Sequence, residues 1–272
     1  MGEMNPMRSS TNQKPLLPNK SLLSTKEASN RVNKAKEFEK EFNYGKKGIV
    51  PTQRDWASYF WTIHKDRVAE ALRPPIREAK SILIVGVGTG DILSALDLQD
   101  KSVIGIDINK IRLIDAAKCC SPAASDGSNM PFRDKSFDLV ICNMVLHHII
   151  GQGSSELKKT IAECSRVLKK GGSLFIFEPN IYHPSGMGMS LLSRFHLYHK
   201  LTGGSEYEFA LSPFWIARIC RNVHLEKVKT TAITFGQPRL PLFIQNLFFR
   251  TDKYFSRIYP LSFSFILEAV KS

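Results

Sequence analysis

The stretch Ser81-Ile82-Leu83-Ile84-Val85-Gly86-Val87-Gly88-Thr89-Gly90-Asp91 decides the fold class of this chain. An apolar run leads straight into glycines at every second position, and a helical pattern follows. A strand, a tight turn and a helix start at this spacing let a ligand come close to the backbone, because a side chain on any of the three glycines would take up that space. A dinucleotide fingerprint places its third glycine one residue later, where this chain has Asp91. A carboxylate there faces the pyrophosphate, so a dehydrogenase that binds NAD or FAD is disfavoured. A nucleoside ligand without phosphates meets no such conflict.

Outward from this loop, short apolar runs alternate with helical patterns, which argues for a parallel sheet covered on both faces. Beyond Ser81 to Val85, the runs Val103 to Ile106, Phe137 to Cys142 and Ser173 to Phe177 read as a second, fourth and fifth strand. Only CCSPAAS separates the second helix from Asp126, so the third strand is expected to be very short. Leu157, Ile161, Cys164 and Leu168 form one helical stripe, and Gly171-Gly172 is expected to end that helix. Phe214 to Val223 reads as a helix, with strands over Glu226 to Thr234 and Phe263 to Val270. Asp107 ends the second strand at the switch point, where an acidic side chain can accept both hydroxyls of a ribose. Its plainer reading is a cap on the following helix.

Four further runs stand in register with the glycine loop: Asp126-Gly127-Ser128-Asn129-Met130-Pro131-Phe132, Ser136-Phe137-Asp138-Leu139-Val140, Leu146-His147-His148-Ile149 and Arg166-Val167-Leu168-Lys169-Lys170-Gly171-Gly172. Together they resemble the class I S-adenosylmethionine-dependent methyltransferases, of the small-molecule type that serves ubiquinone biosynthesis. The resemblance implies an α/β fold: a Rossmann-like, doubly wound, mostly parallel seven-stranded sheet with an antiparallel last strand, an N-terminal helical cap and insertions. It implies S-adenosylmethionine as methyl donor, with Gly86, Gly88 and Gly90 bordering it, Asp107 and Ile108 at the ribose, Asp126 and Gly127 at the adenine, and Asn143 beside the methionine moiety. One departure stands out: the family usually carries an acid two places before the first glycine, and here that residue is Ile84. The methionine ammonium is then left to backbone carbonyls. The same departure motivates an alternative, a binding module of this fold without catalysis.

Methyl transfer from a sulfonium needs no protein nucleophile, but an alcohol or phenol acceptor needs a base. His148 and His147 follow the fourth strand at the edge where open α/β sheets bind ligands, and they are the catalytic candidates. One of two adjacent histidines commonly anchors its loop instead. Tyr182, His183, His196 and His199 are further candidates, and Glu178-Pro179 is placed to shape an acceptor pocket. Cys142 lies inside an apolar strand without a partner base and reads as core. Asn143 is followed by Met144-Val145-Leu146 rather than by two prolines and an aromatic residue, so nucleobase methylation is disfavoured. The five cysteines form no CxxC pair and no cluster with zinc spacing, so no metal is expected.

The formal charge of +13 tempts one toward nucleic acid, but its distribution argues otherwise. Lys+Arg against Asp+Glu count 16 to 9 over residues 1–80, 11 to 11 over 81–180 and 11 to 5 over 181–272, so the central segment is neutral. An RNA or protein methyltransferase remains an alternative that the net charge alone favours. The expected partner is a small or amphiphilic acceptor, methylated on oxygen. Residues 1–30 read as a disordered tail, 31–75 as the helical cap, and 76–272 as the catalytic domain with insertions at 181–212 and 235–260. Trp56, Tyr59, Phe60, Ile63, Arg67 and Val68 recur at helical spacing, and Pro74-Pro75 is expected to stop that helix, which either lids the acceptor pocket or packs on the core. The 235–260 insertion is apolar, aromatic and basic together, a composition that suits peripheral contact with membrane or lipid, or a packed helical pair or dimer face. The sequence lacks a secretory or membrane-spanning apolar run, so the expected location is cytoplasmic, peripheral to membrane if that insertion grips lipid.

Overall fold

The computed structural model describes residues 55–202, 208–236, 242–255 and 258–272. The tail over 1–30 and the part of the cap before residue 55 lie outside these residues. Seven strands form one sheet: β1 (Ser81–Val85), β2 (Ser102–Asp107), β3 (Ser121–Ala124), β4 (Phe137–Asn143), β5 (Leu168–Pro179), β6 (Leu225–Thr234) and β7 (Ser264–Lys271). Their order is β3-β2-β1-β4-β5-β7-β6, with β7 antiparallel to both neighbours and the other pairings parallel. The helices are α1 (Asp55–Glu78), α2 (Lys110–Ala116), α3 (Leu146–Ile149), α4 (Ser154–Val167), α5 (Pro184–Arg194), α6 (Tyr198–Thr202), α7 (Pro213–Asn222) and α8 (Leu242–Phe255).

The parallel centre is buried on both sides because alternate side chains of each strand serve different cores. Leu83 and Val85 of β1 join Val140, Cys142, Leu157, Ile161 and Ile216 on one face. Ile82 and Ile84 join Val68, Leu72, Ile76, Leu139 and Phe177 on the other. Ile84 is fully buried there, so an acid at this position would need a partner in an apolar layer. At the N-terminal edge, Asp138 accepts hydrogen bonds from Lys169 Nζ at 2.7 Å and Ser81 Oγ at 2.7 Å, stitching β4 to β5 and β1. Burial disfavours its charge, but the Lys169 and Ser81 hydrogen bonds outweigh that and hold its pKa down at about 2.

Three expectations are corrected. The segment after the glycine loop forms a single 3-10 turn at Leu93–Ala95 instead of an α-helix. Pro74-Pro75 lies inside α1 rather than ending it, and the helix therefore crosses the expected boundary at residue 75. The two prolines lie on the outer side, while Leu72, Ile76 and Ala79 are buried on the other; that packing outweighs the two lost backbone bonds. Gly171-Gly172 likewise does not terminate α4, which stops at Val167; the strand begins at Leu168, paired with Phe137, and the glycines serve a bulge in β5. Gly171 has φ +79°, and a Cβ on Gly172 would stand 2.9 Å from the Asp138 carbonyl.

The cap helix is tied to the far end of the chain. His64 Nε2 lies 3.1 Å from Ser264 Oγ, and Arg67 donates to the Ile233 carbonyl at 2.8 Å and pairs with the buried Asp252 of α8. Burial, helped by the Arg67 charge, lowers the His64 pKa to about 4. A histidine held neutral in the fold stabilises it fully above its unfolded value near 6.5, and that contribution is lost as pH falls toward 4. The expected outcome is that wild-type protein loses stability over this range faster than His64→Gln, which keeps a polar partner for Ser264 without titrating. Urea unfolding at stepped pH checks it, and parallel curves would refute the assignment.

Candidate active site

The C-terminal ends of β1, β2 and β4 open onto a cleft of about 730 Å³ that is open to solvent on one side. Gly86, Asp107, Ile108, Asp126, Gly127 and His148 line it, together with Val85, Ile106, Asn109, Arg112, Met144, Val145, Ile149 and Gln152. Gly88, Gly90, Asn143 and His147 are not among its lining residues. The three glycines therefore do different work. All have positive φ, at +71°, +56° and +85° in order, where L side chains are strained. A Cβ on Gly86 would collide with the Val145 side chain across the cleft floor, and one on Gly90 would press on Ala116 of α2 at 3.3 Å. Gly90 thus serves packing, and Gly86 borders the cleft.

Asp107 is held by its neighbours. One carboxylate oxygen accepts the Gly88 N–H at 2.9 Å and the other accepts the Asn109 N–H at 2.8 Å. The helix cap expected of this acid falls instead to Asn109; Asp107 fixes the chain entering α2 and lines the cleft, and each of its oxygens keeps a second lone pair. Asn109 itself caps α2 by accepting the Ile111 N–H. With a carboxylate on the Gly88 N–H and no helix behind the loop, the features that attract a pyrophosphate are missing. Asp126 Oδ1 accepts both the Ser128 N–H and Oγ–H at 2.9 Å, a local turn that presents Gly127. Arg166 fixes the rest of that loop through the carbonyls of Met130 and Phe132 and the Glu163 carboxylate, while Met130 and Phe132 are buried.

The two histidines separate into an anchor and a wall residue. Glu178, fully buried at the end of β5, accepts N–H bonds from Val145, Leu146 and His147, and from His147 Nδ1 at 2.7 Å. Burial works against a charge on His147, but the Glu178 carboxylate outweighs it and raises the pKa. His148 packs on His147 with ring centroids 4.0 Å apart and faces the cleft. Burial first, and then the His147 and Arg112 charges, push its pKa well below 6.5, so the imidazole is neutral near pH 7. Glu208 stands 4.0 Å from His148 Nδ1, brought there by a segment anchored through the Phe209 N–H on the His147 carbonyl at 3.1 Å. Met144, between Asn143 and α3, takes φ +52°, a strained turn for a residue with a side chain.

The other sequence candidates lie apart from this group. Tyr182 pairs with Ser212 at 3.0 Å, His183 caps α5 through the Ser185 N–H, and His196 is exposed. The His199 side chain lies outside the description. Cys142 is buried against Cys164 Sγ at 3.8 Å, and its thiol is raised well above 9.0 by that contact and by burial, so it is core. Among the described residues, no three His, Cys, Asp or Glu side chains converge as metal ligands. Sequence reasoning missed Arg112, Val145, Gln152 and Glu208; none of them stands in a spacing that marks a site.

Residues 83–176 match the family described as "Methyltransferase domain". This segment is a class I methyltransferase domain. An uncharacterized protein of Methanocaldococcus jannaschii is 33% identical over 115 residues, 42% of this chain and 51% of that one. A ubiquinone biosynthesis O-methyltransferase of Saccharophagus degradans is 26% identical over 169 residues, 58% of this chain and 68% of that one. A solved S-adenosylmethionine-dependent methyltransferase of Thermotoga maritima, described as a possible histamine N-methyltransferase, superposes with a TM-score of 0.55 at 17% identity, covering 79% of this chain and 94% of that chain. This chain spans about half the length or less of several curated relatives that it matches. S-adenosylmethionine is the methyl donor of this class, and the methyltransferase cleft fits it in chemistry: a fixed acid for hydroxyls, apolar walls at Ile106, Ile108, Val145 and Ile149, and a cation in Arg112.

The Glu178 carboxylate accepts four N–H bonds, so Glu178→Gln would turn an amide toward donors. The expected loss is about 1–3 kcal/mol of stability for the donors left without an acceptor, with the His147 pKa lowered. Urea unfolding and an NMR titration of the imidazole read both effects; an unchanged His147 titration would refute the pairing.

Proposed function

We propose that this chain transfers the methyl group of S-adenosylmethionine to an oxygen of a small or amphiphilic acceptor, with His148 receiving the acceptor's proton. The observation that carries this reading is a partly buried imidazole, neutral near pH 7, on the wall of the same cleft as the fixed Asp107 carboxylate. When bound, S-adenosylmethionine supplies a methyl carbon already activated by its sulfonium, which leaves position, dryness and proton acceptance to the protein. Asp107 and Ile108 hold the ribose, Asp126 and Gly127 meet the adenine, and Gly86 with the turn at Asn143-Met144 borders the methionine moiety. Gly88 and Gly90 shape that loop from behind. Arg112 offers a partner for an anionic group, and backbone carbonyls serve the ammonium in place of the acid that Ile84 replaces. As the carbon–sulfur bond breaks and the oxygen–carbon bond forms, the acceptor's proton passes to a ring nitrogen of His148. His147, fixed by Glu178, keeps that ring in place.

The amphiphilic character of the acceptor is supported by the surface around the site. Phe243, Leu247 and Tyr254 of α8 are exposed beside Arg250, within the insertion whose composition suits contact with lipid. No helix among the described residues is long and apolar enough to cross a membrane.

Asp107→Ala is expected to abolish S-adenosylmethionine binding in calorimetry, whereas His148→Ala keeps binding and slows turnover about 10²–10⁴-fold. Equal loss of binding in both variants would overturn the two roles. Wild-type protein that binds neither S-adenosylmethionine nor adenosylhomocysteine would be a module without catalysis. A mass spectrum of cell extract incubated with isotopically labelled donor identifies the acceptor and the methylated atom.

Because His148 loses its proton below its ordinary value, kcat/KM is expected to stay level as pH falls from 8 to about 6.5 and to drop only below that. An acid limb centred above 6.5 would point to His147, whose pKa is raised.

A further inference from the structure

α5 is oriented the wrong way round for a helix in water. Its inner face carries Gly186 and Ser193, both buried, and Ser190, whose hydroxyl accepts the Ala210 N–H at 3.0 Å. The buried Ser193 hydroxyl has no hydrogen-bond partner among the described residues. The outer face carries Met187, Leu191 and Phe195 at successive steps of four, exposed by 54%, 60% and 63%. Leu197 and Leu201 extend the exposed apolar surface beyond the helix. The orientation is fixed, because Gly186 sits so close to the Asn180 carbonyl that any side chain there would collide with it. Small and hydroxylated residues inward with large apolar ones outward give the polarity of a helix that meets an apolar medium.

The charges narrow that medium. Between Ile181 and Thr202 the formal charges are Arg194 and Lys200, both exposed, with no Asp or Glu. The second insertion repeats the pattern: Phe243, Leu247 and Tyr254 are exposed with Arg250, while the one acid of α8, Asp252, turns inward to Arg67. Cations stand among the outward apolar side chains of both insertions, while Glu208 of the first faces His148, and this suits a continuous negative plane with an apolar interior better than a shaped protein groove.

We propose that α5 and the turn that follows it seat in the interfacial layer of an anionic lipid bilayer. The helix starts directly after β5, at the sheet edge where the cleft opens, and its insertion returns to the His147 carbonyl through Phe209. A bilayer on this face therefore lies beside the cleft, and an amphiphile reaches the site from the lipid. Membrane binding does not rest on the methyl-transfer reading, since it is measured without donor or acceptor.

The test is co-sedimentation of the full chain with vesicles of phosphatidylcholine alone and of phosphatidylcholine mixed with phosphatidylglycerol. Binding to the mixed vesicles is expected to be about tenfold tighter or more, weakening with salt. Leu191→Glu combined with Phe195→Glu abolishes it at an unchanged melting temperature. Should that pair unfold, Met187→Ser with Leu191→Ser gives the same reading at smaller perturbation. No binding to mixed vesicles, equal binding to neutral ones, equal binding by a folded variant, or a concentration-dependent dimer split by the same substitutions would each overturn the proposal.

Discussion

The buried Glu178 carboxylate is the constraint on which the ligand edge of this fold depends. An ionised group out of water must be matched by donors, and here every donor comes from one short stretch, Val145 to His147. A helix as short as α3 could hardly hold its own N-terminus, since the first N–H groups of any helix have no partner inside it. Glu178 supplies that partner from β5, two positions before Asn180 hands the chain to the first insertion. The strained φ of Met144 becomes tolerable because the residues after it are fastened. His148 inherits its position from this network through its packing on His147.

Asp107 performs a similar office on the other side of the cleft. In nucleotide-binding sheets the glycine loop faces a helix N-terminus, which makes a positive end for phosphate. In this protein the link from β1 to β2 forms only a 3-10 turn at Leu93–Ala95, and an acid accepts the Gly88 N–H. This connection thus lacks a phosphate site and secures a carboxylate on the cleft wall at the end of β2. The cleft keeps a loop of dinucleotide type without the charge balance that a dinucleotide needs.

Much of this was legible in the sequence, for reasons that differ from element to element. Buried parallel strands must be continuous apolar runs, so β1, β2 and β4 were plain, and the scant spacer before Asp126 announced a β3 of four residues. The seven-stranded sheet and its antiparallel β7 came from the ordered motifs rather than from periodicity. Local rules failed where tertiary contacts overrode them. Pro74-Pro75 stayed helical because Leu72 and Ile76 had a core to fill, and Gly171-Gly172 entered a strand because Leu168 had already paired with Phe137. At the site, Asp107 and His148 were marked by their positions at strand ends. The division of labour between His147 and His148 was not, since the residue that decides it, Glu178, lies 31 positions away in sequence. Glu208 and Arg112 had no local signature either.

The anchorage of α1 bears on how the molecule comes together. Its partners Ile233, Asp252 and Ser264 follow it by 166 to 200 residues. During translation the apolar stripe of Val68, Leu72 and Ile76 emerges early, yet the contacts that latch the helix down arrive only when the closing strands are made. Until then that stripe rests on earlier parts of the core, among them Ile82, Ile84 and Leu139, and contacts as distant in sequence as those to Ile233, Asp252 and Ser264 form slowly. The order in which the chain is made therefore leaves α1 to be latched last.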